Sequence, residues 1–179
     1  MILVSGCLLG ENCKYNGGNN YEPEVAERFK SGEVVSVCPE SFGELPIPRP
    51  PAEIKGGDGA DVWTGQAKVV TEVGKEVTAQ FIKGAQKTLE LAQKHNCKLA
   101  VLKARSPSCG SQQIYDGSFS GQIKPGTGVT TALLVEQGIR VINEEETAEI
   151  GREAVEEIVG EEGVITPELT GGGEDFAIF

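Results

Sequence analysis

Apolar and polar positions along the chain alternate between short unbroken apolar runs and longer periodic stretches. "ILVSG" (Ile2 to Gly6) and "EVVSVC" (Glu33 to Cys38), the second rich in β-branched residues, have the length and composition of buried strands. Between them, "YEPEVAERFKSG" places Pro23 and glutamates at a helix start and Gly32 at its stop, which predicts a βαβ unit. From Val77 to His95, Phe81, Ala85, Leu89 and Ala92 recur near the helical period, and the pattern leads into the strand "KLAVLKA", Lys98 to Ala104. A further helix is predicted over "GVTTALLVEQ", capped by Thr127 and stopped by Gly138, ahead of the strand "IRVI". Strands that alternate with helices need cover on both faces of a parallel sheet. The expected fold class is therefore α/β: a single Rossmann-like open sheet, mostly parallel, with helices on both faces.

Two regions break this rhythm. "ELPIPRPPAEI", Glu44 to Ile54, holds four prolines and is expected to be an extended, stiff loop, because proline can neither donate to a ladder nor sit inside a helix. The glycine-rich "GGDGADVWTGQ" that follows is expected to be mobile or folded over a site. Residues 1–143 are read as the α/β domain, and 144–179 as an appendage with an acidic helical stretch from about Glu145 to Val159.

Composition narrows the function classes. A chain of 179 residues suffices for one sizeable core without disulfide staples. The net charge of −11 disfavours a phosphate-backbone or anionic-membrane partner, so neither nucleic acid nor membrane is expected. "MILV" is too short for a signal peptide's apolar core and no segment reaches bilayer length, so the expected compartment is the cytoplasm. In a reducing compartment an odd set of five cysteines points to metal binding or catalysis ahead of a disulfide framework. The oligomeric state is not legible.

Those cysteines share a placement. Cys7 follows the first strand, Cys38 ends the second, and Cys109, in "SPSCG", lies just past the strand that ends near Ala104. In a parallel sheet all three positions sit at the carboxyl edge, where ligands bind, so the trio is expected to meet in one pocket. Gly6 and Gly110 beside them would let backbone approach a bulky ligand. Cys97 precedes a strand and reads as a small buried hydrophobe. Cys13, six residues after Cys7, could be a fourth ligand, a resolving thiol or a loop residue. No C-x-x-C knuckle is present, so a closed structural zinc site would have to recruit Cys13, whereas three protein ligands with one open position suit a catalytic metal, and thiolate-rich sites suit zinc or an iron–sulfur cluster.

"SGCLLGENCKYNGG", "VCPESFGELPIPRPPAEI" and "VLKARSPSCG" resemble, in order, the motifs of the short bacterial thiouracil desulfidase family, over about Ile2 to Asn143. The resemblance implies a [4Fe–4S] cluster on Cys7, Cys38 and Cys109, whose unligated iron takes sulfur from a small thiolated substrate such as thiouracil. Replacing C=S by C=O without net redox also needs a base for the incoming water. Glu40, two residues past Cys38, is the expected base, and Ser106 the expected hydroxyl beside the reacting heterocycle. Ser108, Lys103 and Arg49 are expected to bind substrate; Asp116 and Tyr15 are weaker candidates. The alternative function is a non-catalytic iron–sulfur or zinc binder that senses metal or redox state.

Other motifs do not carry through. "KPGTGVTT" lacks the lysine-serine pair of a phosphate loop, and neither G-x-G-x-x-G nor G-x-S-x-G occurs. His95, the single histidine, falls at a predicted helix end, which argues against histidine-dependent hydrolysis.

Overall fold

A computed structural model describes residues 1–30 and 34–147 of the chain. Its centre is a four-stranded sheet of β1 (Ile2–Ser5), β2 (Val34–Val37), β5 (Leu99–Leu102) and β8 (Arg140–Asn143), ordered β2-β1-β5-β8. All three neighbouring pairs are parallel, with Leu3 opposite Val35 and Ala100, and Ala100 opposite Val141. The mostly parallel α/β sheet expected from the apolar runs is the one observed. Chain direction across the sheet reverses between β1 and β5, which makes that gap the topological switch point.

The two-residue period of the strands sorts the core. Ile2, Val4, Leu99, Val101 and Ile142 pack on one face with Val25 and Phe29, from α1 (Pro23–Arg28) and its C-cap. Leu3, Val37, Ala100 and Leu102 pack on the other with Ala92 of α4 (Thr78–Lys94) and Leu134 of α5 (Val129–Glu136). Pro23 at the first turn of α1 wastes no hydrogen bond there, as its position in the sequence predicts. Helix α4 runs between the caps Val77 and His95, and Asn96, at φ 50°, turns the chain back toward β5. Gly138, at φ 76°, ends α5 in the left-handed conformation expected of it, with its amide on the Val135 carbonyl. Cys97 is buried against β5, as expected.

Several local expectations are corrected. Helix α5 starts one residue later than the sequence suggests: its N-cap is Gly128, and Thr127 caps nothing but gives its amide to Asp58. The proline segment is not uniformly extended: it turns at Glu44 (φ 64°), bends at the cis Ile47–Pro48 bond, and from Ala52 pairs, as β3 (Ala52–Lys55), antiparallel with β4 (Lys68–Thr71). The glycine-rich stretch after it is a helix, α3 (Gly59–Trp63), closed by a reciprocal Asp58/Asp61 capping box. A Cβ on Gly59 would stand 2.2 Å from the Gly128 carbonyl oxygen, so this segment is wedged against the start of α5, and none of its residues lines the cavity described below. A second antiparallel pair, β6 (Gln113–Tyr115) with β7 (Ile123–Pro125), follows the third cysteine motif. Both pairs escape the sequence pattern because their strands are only three or four residues long, too short for an alternating period to show.

The short helix α6 (Glu144–Thr147) is the described start of the acidic stretch; the remainder of the helix expected up to Val159 lies outside the described residues. Among the described residues no helix is long and apolar enough to cross a membrane.

Candidate functional site

The carboxyl ends of β1, β2 and β5 open into a cavity of about 440 Å³, a size typical of small-molecule pockets. Cys7, Cys13, Cys38 and Cys109 all line it, together with Glu40, Arg49, Lys103 and Ser106.

Each thiol is set by a different piece of local structure. Cys7 lies in a single 3-10 turn, Gly6–Leu9, that bends the chain out of β1. Cys38 is the N-cap of α2 (Pro39–Phe42), whose Pro39 starts the helix directly after β2. Helix α2 leans closely on α4: a Cβ on Gly84 would stand 1.8 Å from the Pro39 carbonyl oxygen, and one on Gly43 2.1 Å from that of Gln80. Cys109 sits in the turn after β5, where Ser106 Oγ accepts the amides of Ser108 and Cys109 at 3.1 and 3.2 Å. Thr131 Oγ1 holds the Cys109 carbonyl at 2.8 Å, and Ser5 Oγ reaches its sulfur at 3.9 Å. The flanking glycines serve the protein rather than a ligand: a Cβ on Gly6 would strike Glu11 and Ser36, and one on Gly110 the Gln113 carbonyl.

The thiols divide by their proton affinity. Cys38 is brought down to about 6, first by a hydrogen bond from the Cys13 thiol and then by Ser41, whose Oγ lies 3.2 Å from its sulfur. Cys7 is also lowered, chiefly by the Cys13 thiol. Cys13 donates toward both and is pushed far up in consequence. Burial raises Cys109, with the negative charge of Cys7, Glu40 and Cys38 adding to it. All five cysteines are free thiols.

Around the thiols stands a braced polar wall. Arg49, with only 5% of its side chain exposed, clasps Glu40 Oε2 through Nε and Nη2, each at 2.7 Å. Nη2 also reaches the Cys13 carbonyl at 3.1 Å, and the Arg49 amide bonds the Tyr15 carbonyl at 2.7 Å. The proline loop is thereby stitched to the Cys13 loop and walls the cavity with Arg49 and Pro51. Lys103 lines the cavity while its Nζ pairs with Glu144 of α6, which also accepts the Ala104 amide at 2.8 Å.

Of the expected site residues, Cys7, Cys38, Cys109, Glu40, Ser106, Lys103 and Arg49 are gathered around one cavity, and Tyr15 is also in its lining. Ser108 is not among its lining: it is 1% exposed and its hydroxyl is bonded to Thr130 at 2.8 Å. Asp116 is turned toward Ser118 on the surface of the β6–β7 hairpin. His95 is the C-cap of α4, away from the cavity. Sequence reasoning missed Glu53, Phe119, Tyr115 and Ser5, which also line it. Glu53 and the two aromatics lie on the hairpins that left no readable pattern.

The donor set favours a cluster over one ion. Among the described residues no group of three or more His, Cys, Asp or Glu is arranged to hold a single metal ion. A mononuclear zinc would draw its sulfurs to within about 3.8 Å of each other, given bonds near 2.3 Å. Four thiols lining one cavity supply the soft ligands that an iron–sulfur cluster takes.

An open parallel sheet whose carboxyl edge gathers thiols, a braced carboxylate and a small-molecule cavity defines an α/β protein suited to a sulfur-ligated metal centre. The chain belongs to the 2-thiouracil desulfurase family, whose profile matches residues 2–146. It is 47% identical over 150 residues to the uncharacterised protein YbbK of Bacillus subtilis (strain 168), covering 84% of this chain and 99% of that one. Among solved structures it is similar to the [4Fe-4S]-dependent thiouracil desulfidase TudS, with a TM-score of 0.73 and 41% identity, over 83% of this chain and 93% of the other.

Proposed function

We propose that the protein is an iron–sulfur-dependent desulfidase that converts a thiouracil-like base and water to the oxo base and sulfide, without net redox. The family membership and the likeness to TudS support the activity and the [4Fe–4S] cofactor. The observation that carries the residue assignment is the single cavity shared by Cys7, Cys38, Cys109, Glu40 and Ser106.

In this reading Cys7, Cys38 and Cys109 hold the cluster. When bound, a cluster with three protein thiolates supplies one iron open to a soft sulfur ligand. The chain's own groups do the rest. Glu40, held in place by Arg49, accepts the proton of the water that adds to the C=S carbon. Ser106 Oγ already accepts two amides, so its own hydrogen is left to donate to the heteroatom of the reacting ring. Lys103 contributes positive charge beside the sulfur that leaves. Ser108 supports this turn from beneath instead of touching substrate, and Arg49 acts on substrate only through Glu40. Cys13 donates to two of the ligand thiols and is assigned no iron.

The reaction is assigned to the domain of residues 1–143, which Glu144, the first residue of the acidic segment, braces through Lys103 and the Ala104 amide. Five free thiols suit the reducing cytoplasm. The test is anaerobic purification, iron and acid-labile sulfide assays, and sulfide release from 2-thiouracil on the same sample. Iron and sulfide in near-equal amounts together with turnover are expected; a loaded cluster without sulfide release would mark a sensor, and zinc alone would overturn the reading.

A further inference from the structure

Glu53 is a carboxylate that none of the reaction steps uses. It is only 7% exposed, on β3, and it lines the cavity. Its Oε2 accepts the amides of Gly117 at 2.8 Å and Phe119 at 3.0 Å, at the tip of the β6–β7 hairpin. Its Oε1 has no hydrogen-bond partner among the described residues, although no fully buried side-chain oxygen is left without one there. That oxygen therefore keeps access to solvent, on a side chain that lines the cavity.

The hairpin tip is docked rather than draped. Gly117, at φ 93°, comes so close to β3 that a Cβ would stand 2.6 Å from the Ile54 carbonyl oxygen. Phe119 is held at φ 58°, in the left-handed region that a bulky residue occupies only when its surroundings fix it there. Lys55 Nζ stands 5.5 Å from its ring centroid, and the ring forms part of the cavity lining. A single carboxylate thus pins an aromatic wall with one oxygen and offers an acceptor with the other.

Resting on the desulfidase reading, the geometry points to Glu53 and Phe119 as the specificity-determining pair of this pocket: Phe119 lies against a planar ring while Glu53 Oε1 accepts a ring N–H. The substrate class so selected is an aromatic N-heterocycle with an unsubstituted N–H beside its thiocarbonyl. An N-alkylated ring would leave the buried acceptor unpaired, which is the strongest kind of discrimination a pocket offers.

The probes are uracil and 1,3-dimethyluracil, which differ in the N–H groups and carry no sulfur to lose. Their binding is measured on the cluster-loaded, anaerobic protein by calorimetry, next to KM and kcat for 2-thiouracil. Glu53→Gln keeps an amide oxygen for Gly117 and Phe119 but turns the open acceptor into a donor. It is expected to weaken uracil binding about tenfold or more, as loss of a hydrogen bond to a charged acceptor does, and to shift 1,3-dimethyluracil little, with the loss for 2-thiouracil falling on KM. Phe119→Leu is expected to weaken both probes alike, because stacking is indifferent to the N–H groups. A merely structural Glu53 would penalise both probes equally in Glu53→Gln; that result, or equal binding of the two probes by the unaltered protein, overturns the inference while sulfide release from 2-thiouracil stands. Absence of sulfide release from the loaded, unaltered protein overturns both the desulfidase reading and the inference resting on it.

Discussion

Replacing Arg49 by methionine tests whether the proline loop and Glu40 form one unit. The guanidinium is 5% exposed and the Glu40 side chain 19%, and their two contacts are both 2.7 Å. Removing one partner of a buried ion pair costs about 3–5 kcal/mol, mostly from the charge left behind. Glu40 keeps some solvent, which argues for the lower part of that range. The same change also strips the Cys13 and Pro46 carbonyls of donors at 3.1 and 3.3 Å. An expected loss of about 3 kcal/mol corresponds to about 6–12 °C in melting temperature for a domain of this size. Glu40→Gln keeps an acceptor for Arg49 but leaves the more deeply buried guanidinium without its counter-charge, and should also cost about 3 kcal/mol. Because both changes break the same contact, the double variant should fall short of the sum by about 1 kcal/mol or more. The assay is denaturant unfolding followed by far-ultraviolet circular dichroism, under anaerobic conditions and at equal iron content for all four proteins. Strict additivity would refute the reasoning, since it would mean that Arg49 supports the loop without holding Glu40.

The other expectations concern ligands, chemistry and packing. Cys7→Ala, Cys38→Ala and Cys109→Ala should each lose iron or leave a damaged cluster, while Cys97→Ala, buried beneath the sheet, should keep it; loss of iron in Cys13→Ala with retention in one of the three would redraw the ligand set. Glu40→Gln should assemble its cluster and yet release sulfide about 100-fold more slowly, the usual scale for a lost general base, and a cluster-free product would reassign Glu40 to a structural role. Gly84→Ala should destabilise by about 1–3 kcal/mol or more, by forcing α2 off α4, and should lower turnover as well because α2 carries Glu40; a variant as stable as the parent would show that the two helices can part without cost.

Much of this protein is legible in its amino-acid sequence alone. The strand runs around Leu3, Val35, Ala100 and Val141 are apolar enough to predict a buried parallel sheet, and the βαβ rule then puts Cys7, Cys38 and Cys109 at one edge. That step needs only chain order and handedness, which local sequence controls. The three motifs around those cysteines also carry the family, which the profile match bears out. Tertiary structure alone decides what surrounds the thiols. Glu53, Phe119 and Tyr115 lie on hairpins whose strands are three or four residues long, too short for a period to show, and they reach the cavity because those hairpins dock on one another across about sixty positions of sequence. Ser106 and Ser108 are two residues apart in the same turn, yet one faces the cavity and the other is buried on Thr130. The glycine-rich stretch after Lys55 reads as mobile by composition but is held as α3 by Asp58 and by close contact with Gly128. Sequence determines which chemistry is available and at which edge of the sheet it emerges; which side chains face one another is settled by packing, because that depends on contacts between segments whose local propensities say nothing of each other.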